Sequence, residues 1–131
     1  HTRHVLDHFD RFITGVDEGV VNYDARLREV KVEIDRQYAI SKLTDIISSL
    51  REMEAVDKNI VVIMDVESDK TTVTHQPSSL ARELAFLHSH STHHHATLAF
   101  IFRILGLDIN IKDFGIAPGT IRHMRLLQCA P

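Results

Sequence analysis

The chain has 131 residues, of which 44% are hydrophobic, and it carries a formal net charge of -3. This length fits a single globular domain over residues 1–131 with a substantial core. With no long basic run and only 6% aromatic residues, it lacks the charge and stacking surface that nucleic-acid binding needs. Arg103 and Gly106 interrupt its most apolar segment, so we expect no membrane span. Since Cys129 is the only cysteine, no intrachain disulfide can form, and we expect a reducing, cytoplasmic setting.

The chain opens inside a helical pattern that weakens at Gly15 and Gly19. The apolar residues of this first predicted helix are Val5, Phe9, Phe12, Ile13 and Val16. Neither a capping residue nor an initiator methionine precedes the pattern, so we expect that an upstream segment, and with it a whole helix, is missing.

The next segments predict a long loop, a helix and a small hairpin. Residues 20–34 have no sustained periodicity and predict an irregular connection. A helix is expected from about Asp35, its N-cap, to Ala55. Its apolar face consists of Ala39, Leu43, Ile46, Ile47 and Leu50. Alternating β-branched residues then predict a hairpin from Ile60 to Thr74, turning at residues 68–70.

A long helix is the clearest predicted element. It starts after Pro77-Ser78-Ser79 and stops at Gly106, and Pro118 then opens a short final helix. Residues of the long helix recur in steps of three and four along one stripe, namely Leu80, Leu84, Leu87, Ser91, His94, Leu98, Ile101 and Leu105. The sequence therefore predicts a mainly α architecture in which His94 takes a core position.

Histidines are concentrated in two of these helices. His90 and His94 lie one turn apart on the long helix, and His1, His4 and His8 lie in the first helix. A histidine on a core face needs partners for both ring nitrogens, and a bound cation can supply one of them. Three converging imidazoles would bind zinc or nickel. A hydrated polar seam is the alternative, and His88, His93 and His95 point to other faces of the same helix.

Four segments of the chain carry a resemblance to a known family. They read HTRHVLDHF from residue 1, NYDARLR from residue 22, RELAFLHSHSTHHHA from residue 82 and FGIAPGTIR from residue 114. In this order they resemble the DinB-like superfamily of metalloenzymes, which pair an H-x3-H motif on one helix with a histidine on an earlier helix. The resemblance implies the metal ligands His4, His90 and His94, with His1 or His8 as a substitute for His4.

The same resemblance implies a four-helix bundle, commonly a homodimer, whose first helix precedes His1. Three neutral histidines would leave open positions on a divalent ion, as catalytic sites do. The function expected is therefore a metal-dependent enzyme, either a hydrolase or a transferase of low-molecular-weight thiols, acting on a small molecule. The alternative is a non-catalytic, metal-binding or dimerising helical-bundle module.

Other polar residues carry weaker predictions. Glu83 lies seven residues before His90 and could face the same cavity, but an ion pair or capping contact with Arg82 or Arg26 is favoured. Tyr23, Arg26 and Arg28 lie in the predicted long loop, where we favour a role in fixing that loop over a role in binding an anionic substrate.

Overall fold

The computed structural model describes residues 1–54, 56–65 and 74–128. The helices are α1 (Thr2–Val16), α2 (Lys31–Ile34), α3 (Arg36–Glu52), α4 (Leu80–Ile104) and α5 (Pro118–Gln128). The strands are β1 (Val20–Asn22), β2 (Asn59–Ile63) and β3 (His75–Ser79). The chain divides into two compact units, the first spanning residues 2–87 and the second containing His1 and the described residues from His88 onward.

The first unit contains a mixed three-stranded sheet in the order β1-β2-β3. Strand β1 pairs in parallel with β2, with Val21 opposite Val62, and β2 pairs antiparallel with β3, with Val61 opposite Pro77. Because parallel strands need a crossover connection, α2 and α3 fill the segment between β1 and β2. The fold is therefore α+β, and the prediction of a mainly α, DinB-like four-helix bundle is wrong.

The sequence does not predict the complete sheet, because strands β1 and β3 lack the usual strand signals. Strand β1 has only three residues, too few to display an alternating pattern, and its partner lies about forty residues further along the chain. Strand β3 reads HQPSS and lacks the β-branched residues that mark strands, although α4 begins directly after Ser79, as predicted. The predicted hairpin is right for β2, whereas β3 begins after Thr74, and the predicted turn at residues 68–70 lies outside the described residues.

The core of the first unit forms where α1 and the start of α4 pack on the sheet. Its buried side chains are Phe12, Val16, Val21, Tyr23, Ile60, Val62, Leu80 and Leu87. A smaller cluster of Leu6, Val32 and Ile46 joins α1 to α2 and α3. Gly15 allows α1 to approach β1 closely, because a Cβ atom at this position would lie 2.2 Å from the Val20 carbonyl oxygen.

Several helix boundaries follow the sequence signals. The Asp35 side chain accepts a hydrogen bond from the Tyr38 backbone N–H at 3.0 Å, which confirms it as the N-cap of α3. Pro118 is the first residue of α5, as predicted. The cap at the start of α4 has no local sequence signal, because it comes from a distant loop. There the Asp57 carboxylate accepts a hydrogen bond from the Ala81 backbone N–H at 2.9 Å.

The second unit depends on a tight turn against α4. Asp113 and Gly115 both have positive φ angles. A Cβ atom at Gly115 would lie 2.6 Å from the Ala96 backbone, so only glycine fits there. Phe114 stacks on His95 with 4.8 Å between ring centroids. Residues 113–115 therefore form a conformationally defined turn.

Among the described residues, none of the helices has both the length and the apolar content that a membrane crossing requires. The prediction that residues 1–131 form a single domain stays a prediction.

Candidate functional site

A buried carboxylate lies at the centre of the first unit. Glu83, fully buried in α4, accepts a hydrogen bond from the Tyr23 hydroxyl at 3.0 Å and further bonds from Ser78 and Arg82. Its predicted ion pair with Arg82 is confirmed at 2.6 Å. Burial and the negative charge of Glu83 raise the pKa of the Tyr23 phenol far above its ordinary value. Tyr23 therefore stays protonated and links β1 to α4, which is a structural role.

His8 packs against this cluster. Its ring stacks on Tyr23 with 5.5 Å between centroids and lies 6.4 Å from Phe86. Its Nδ1 donates a hydrogen bond to the His4 carbonyl oxygen at 2.8 Å, so the neutral ring keeps its lone pair on Nε2. Burial lowers the pKa of the His8 imidazole below its ordinary value, and His8 is therefore neutral at pH 7.

His4 lies in a different electrostatic environment, although it shares one face of α1 with His8. The Arg26 guanidinium donates a hydrogen bond to His4 Nδ1 at 3.0 Å. A neutral His4 then carries its proton on Nε2, and a permanent positive charge lies beside the ring. The Arg26 contact therefore takes up His4 Nδ1.

The histidines of the second unit contact one another. The Nε2 atoms of His90 and His94 are 3.0 Å apart, and His94 Nδ1 lies 2.8 Å from His1 Nδ1. Each short contact needs one protonated and one unprotonated nitrogen, so these rings form a linked set of imidazoles. The spacing of His90 and His94 also suits two ligands of one ion, and it agrees with their predicted pairing on α4.

The predicted ligands His4, His90 and His94 thus belong to different units, with His4 in the first and the other two in the second. The second unit also brings His1 to His94. No finding tests this ligand set or the choice of zinc or nickel, and both stay predictions.

A concave pocket in the first unit was not predicted. Its volume is about 540 Å³, within the range of about 300 to 1,000 Å³ typical of ligand sites. Apolar side chains from α1, from the C-cap of α3 and from the start of α4 form its floor, and these are Ile13, Val16, Met53 and Leu80. Val16 and Leu80 are almost completely buried, so packing in the core fixes the floor.

Polar side chains surround the pocket mouth. They are Asp17, Ser49, Glu52, Glu54 and Lys58, with the apolar Val56 among them. The Lys58 ammonium lies 3.5 Å from the Asp17 carboxylate. An apolar floor with a few polar groups at the opening can hold an apolar ligand and orient it by its polar atoms. Sequence reasoning missed this site because its lining comes from three separate stretches of the chain, none of which carries a local signal.

Comparison with known proteins identifies one informative relative. The chain is 31% identical over 109 residues to FK506-binding protein 5 of Rhizopus delemar. The match covers 81% of this chain but only 28% of that protein, so the chain spans little more than a quarter of its relative. No family model matches the chain, and no solved structure does either.

This similarity corrects the functional predictions. It relates the chain to a protein named for FK506 binding, so the assignment to the DinB-like superfamily is wrong. The predicted metal-dependent hydrolase or thiol transferase is wrong on the same ground, and so is the alternative of a metal-binding helical-bundle module. The small-molecule partner and the homodimer remain untested.

Proposed function

We propose that the first unit is a ligand-binding domain that takes an apolar small molecule into the pocket between α1, α3 and the start of α4. The observation that carries this proposal is the pocket itself, which combines a core-packed aliphatic floor with polar groups at its mouth. The 31% identity to a protein named for FK506 binding supports a binding function and supplies the first probe.

The aliphatic floor favours ligands with apolar surface. When such a ligand binds, its apolar surface is removed from water. This contributes roughly 25 cal/mol of binding free energy per Å² of apolar area buried. Because the floor side chains are held by the core, little ordering is needed when a ligand enters, and a preformed site loses less conformational entropy on binding. Polar atoms of the ligand would then meet the groups at the mouth.

Calorimetric titration with FK506 tests the proposal, since the chain has no tryptophan to report binding by fluorescence. Val56→Asp places a charge in the pocket lining at a side chain that is 70% exposed, so the fold should tolerate it. Val30→Asp, at a 60% exposed valine that does not line this pocket, is the matched control. We expect binding by the wild type and by Val30→Asp, and at least about tenfold weaker binding by Val56→Asp.

If the wild type gives no heat of binding with FK506 at any of several temperatures, the prediction that FK506 is a ligand is wrong. Equal affinities of Val56→Asp and Val30→Asp would place binding outside this pocket. The proposed setting is the cytoplasm, on the ground that Cys129 is the only cysteine.

A further inference from the structure

Helix α3 presents an aliphatic seam on its outer side. Ile40, Leu43 and Ile47 follow one another in steps of three and four, which places them on one face of the helix. Their side chains are 46%, 45% and 39% exposed, whereas Ile46, about a quarter turn around the helix, is buried in the core. The inner face of α3 therefore belongs to the domain, and the seam is left on its surface.

An arginine lies at each end of the seam. Arg36 lies four residues before Ile40 and Arg51 four residues after Ile47, so both continue the same face. The two arginine Cα atoms are separated by about 22 Å along the helix axis, given a rise of 1.5 Å per residue. Both arginines are exposed. The apolar seam therefore has a positive charge at each end.

This charge pattern decides which occupant fits. In a second copy packed antiparallel on the seam, Arg36 would face Arg51 of the other copy, and in a parallel pair each arginine would face itself. Like charges brought together in this way are unfavourable, so the seam is not self-complementary. A helix with aliphatic residues between two carboxylates would complement the seam, because its aliphatic residues would cover the apolar side chains and its carboxylates would pair with the two arginines.

We propose that the outer face of α3 is a docking surface for an acidic amphipathic helix of a partner protein. Aliphatic residues of the partner cover Ile40, Leu43 and Ile47, and its terminal carboxylates pair with Arg36 and Arg51. The apolar seam supplies the area to be buried, and the guanidinium groups fix the register and direction of the bound helix. This surface is separate from the proposed ligand pocket floor.

Two synthetic helical peptides of about 18 residues test the proposal. They share one leucine seam and differ only at the two flanking positions, which carry Glu in one peptide and Lys in the other. We expect the Glu peptide to bind at least about tenfold more tightly than the Lys peptide. The double variant Arg36→Glu/Arg51→Glu should reverse this preference, because it reverses both end charges.

The matched control is Arg103→Glu/Arg122→Glu, which makes the same change in net charge in the second unit and should leave the preference unaltered. Leu43→Asp should abolish binding of both peptides, whereas Leu27→Asp, at a 70% exposed leucine outside the seam, should not. Circular dichroism of every variant establishes that it is folded.

Three outcomes would overturn the proposal. These are equal binding of the two peptides, a preference that survives charge reversal at Arg36 and Arg51, and the absence of binding by both peptides. Binding of wild-type protein to vesicles of phosphatidylserine and phosphatidylcholine, with no binding of either peptide, would assign the face to an anionic membrane instead.

Discussion

The two units differ in how they bury side chains. Among the described residues, every buried side chain lies in the first unit, from Leu6 to Leu87. The described residues of the second unit are partly or fully exposed, and Phe100 is 63% exposed. Residues of the apolar stripe predicted along α4 therefore differ in burial, since Leu80 and Leu87 are buried whereas Leu105, directly after the end of the helix, is 64% exposed. Helical periodicity identifies a face, but only tertiary packing decides whether that face becomes a core.

The largest expected contrast is between two phenylalanines. Phe12 is fully buried in the first unit, so Phe12→Ala should lower the free energy of unfolding by about 4 kcal/mol through lost packing and a new cavity. Phe100→Ala in the second unit should change it by less than about 0.5 kcal/mol. Urea denaturation followed by circular dichroism measures both. Similar losses at the two positions would show that the exposed face of α4 is covered in solution.

The second contrast concerns two ion pairs. Glu83→Ala leaves Tyr23, Ser78 and Arg82 without their buried acceptor and should destabilise the protein by about 3 kcal/mol. The exposed Arg125 guanidinium lies 3.8 Å from the half-buried Asp113 carboxylate, so Arg125→Ala should have an effect below about 0.5 kcal/mol.

Equilibrium unfolding in urea again provides the comparison. A small effect at Glu83 would mean that its three donors find other partners, and the structural role assigned to this carboxylate would then be wrong.

Substitutions of two glycines, one in each unit, test the same difference in packing with smaller expected changes in stability. Gly15→Ala puts a methyl group against the Val20 carbonyl oxygen and should destabilise the first unit by about 2 kcal/mol. Gly119, in α5, has open space around it, so Gly119→Ala should be neutral or slightly stabilising. Thermal unfolding of both variants checks this, and a neutral Gly15→Ala would refute the close approach of α1 to β1.

The smallest expected effect is a pH dependence from His8. Because burial lowers its pKa in the folded state, the unfolded chain binds more protons as the pH falls below about 6.5. Stability should therefore decrease with falling pH from this point until the pH passes below the folded pKa. The variant His8→Phe should flatten this slope, whereas the control His88→Phe at an exposed position should not. Urea midpoints between pH 5 and pH 8 measure the slope.

Local features were predictable from the sequence, and non-local ones were not. The Asp35 cap, the start of α5 at Pro118 and the ion pair of Glu83 with Arg82 depend on residues close in sequence. The pairing of β1 with β2 and the pocket floor bring together distant segments, so no window of sequence displays them. The i,i+4 spacing correctly places His4 with His8 and His90 with His94 on one helix face each, whereas His1 lies outside α1. This spacing could not reveal that Arg26 contacts His4 while His94 contacts His1.

The central claim is that the pocket of the first unit binds the ligand, and methyl NMR of the three methionines tests it most directly. Met53 lines the pocket, Met64 lies elsewhere in the first unit and Met124 lies in the second unit. On titration with FK506, we expect the Met53 methyl signal to shift with saturation while those of Met64 and Met124 stay in place. An unmoved Met53 signal, or equal shifts of all three methyl signals, would contradict this claim.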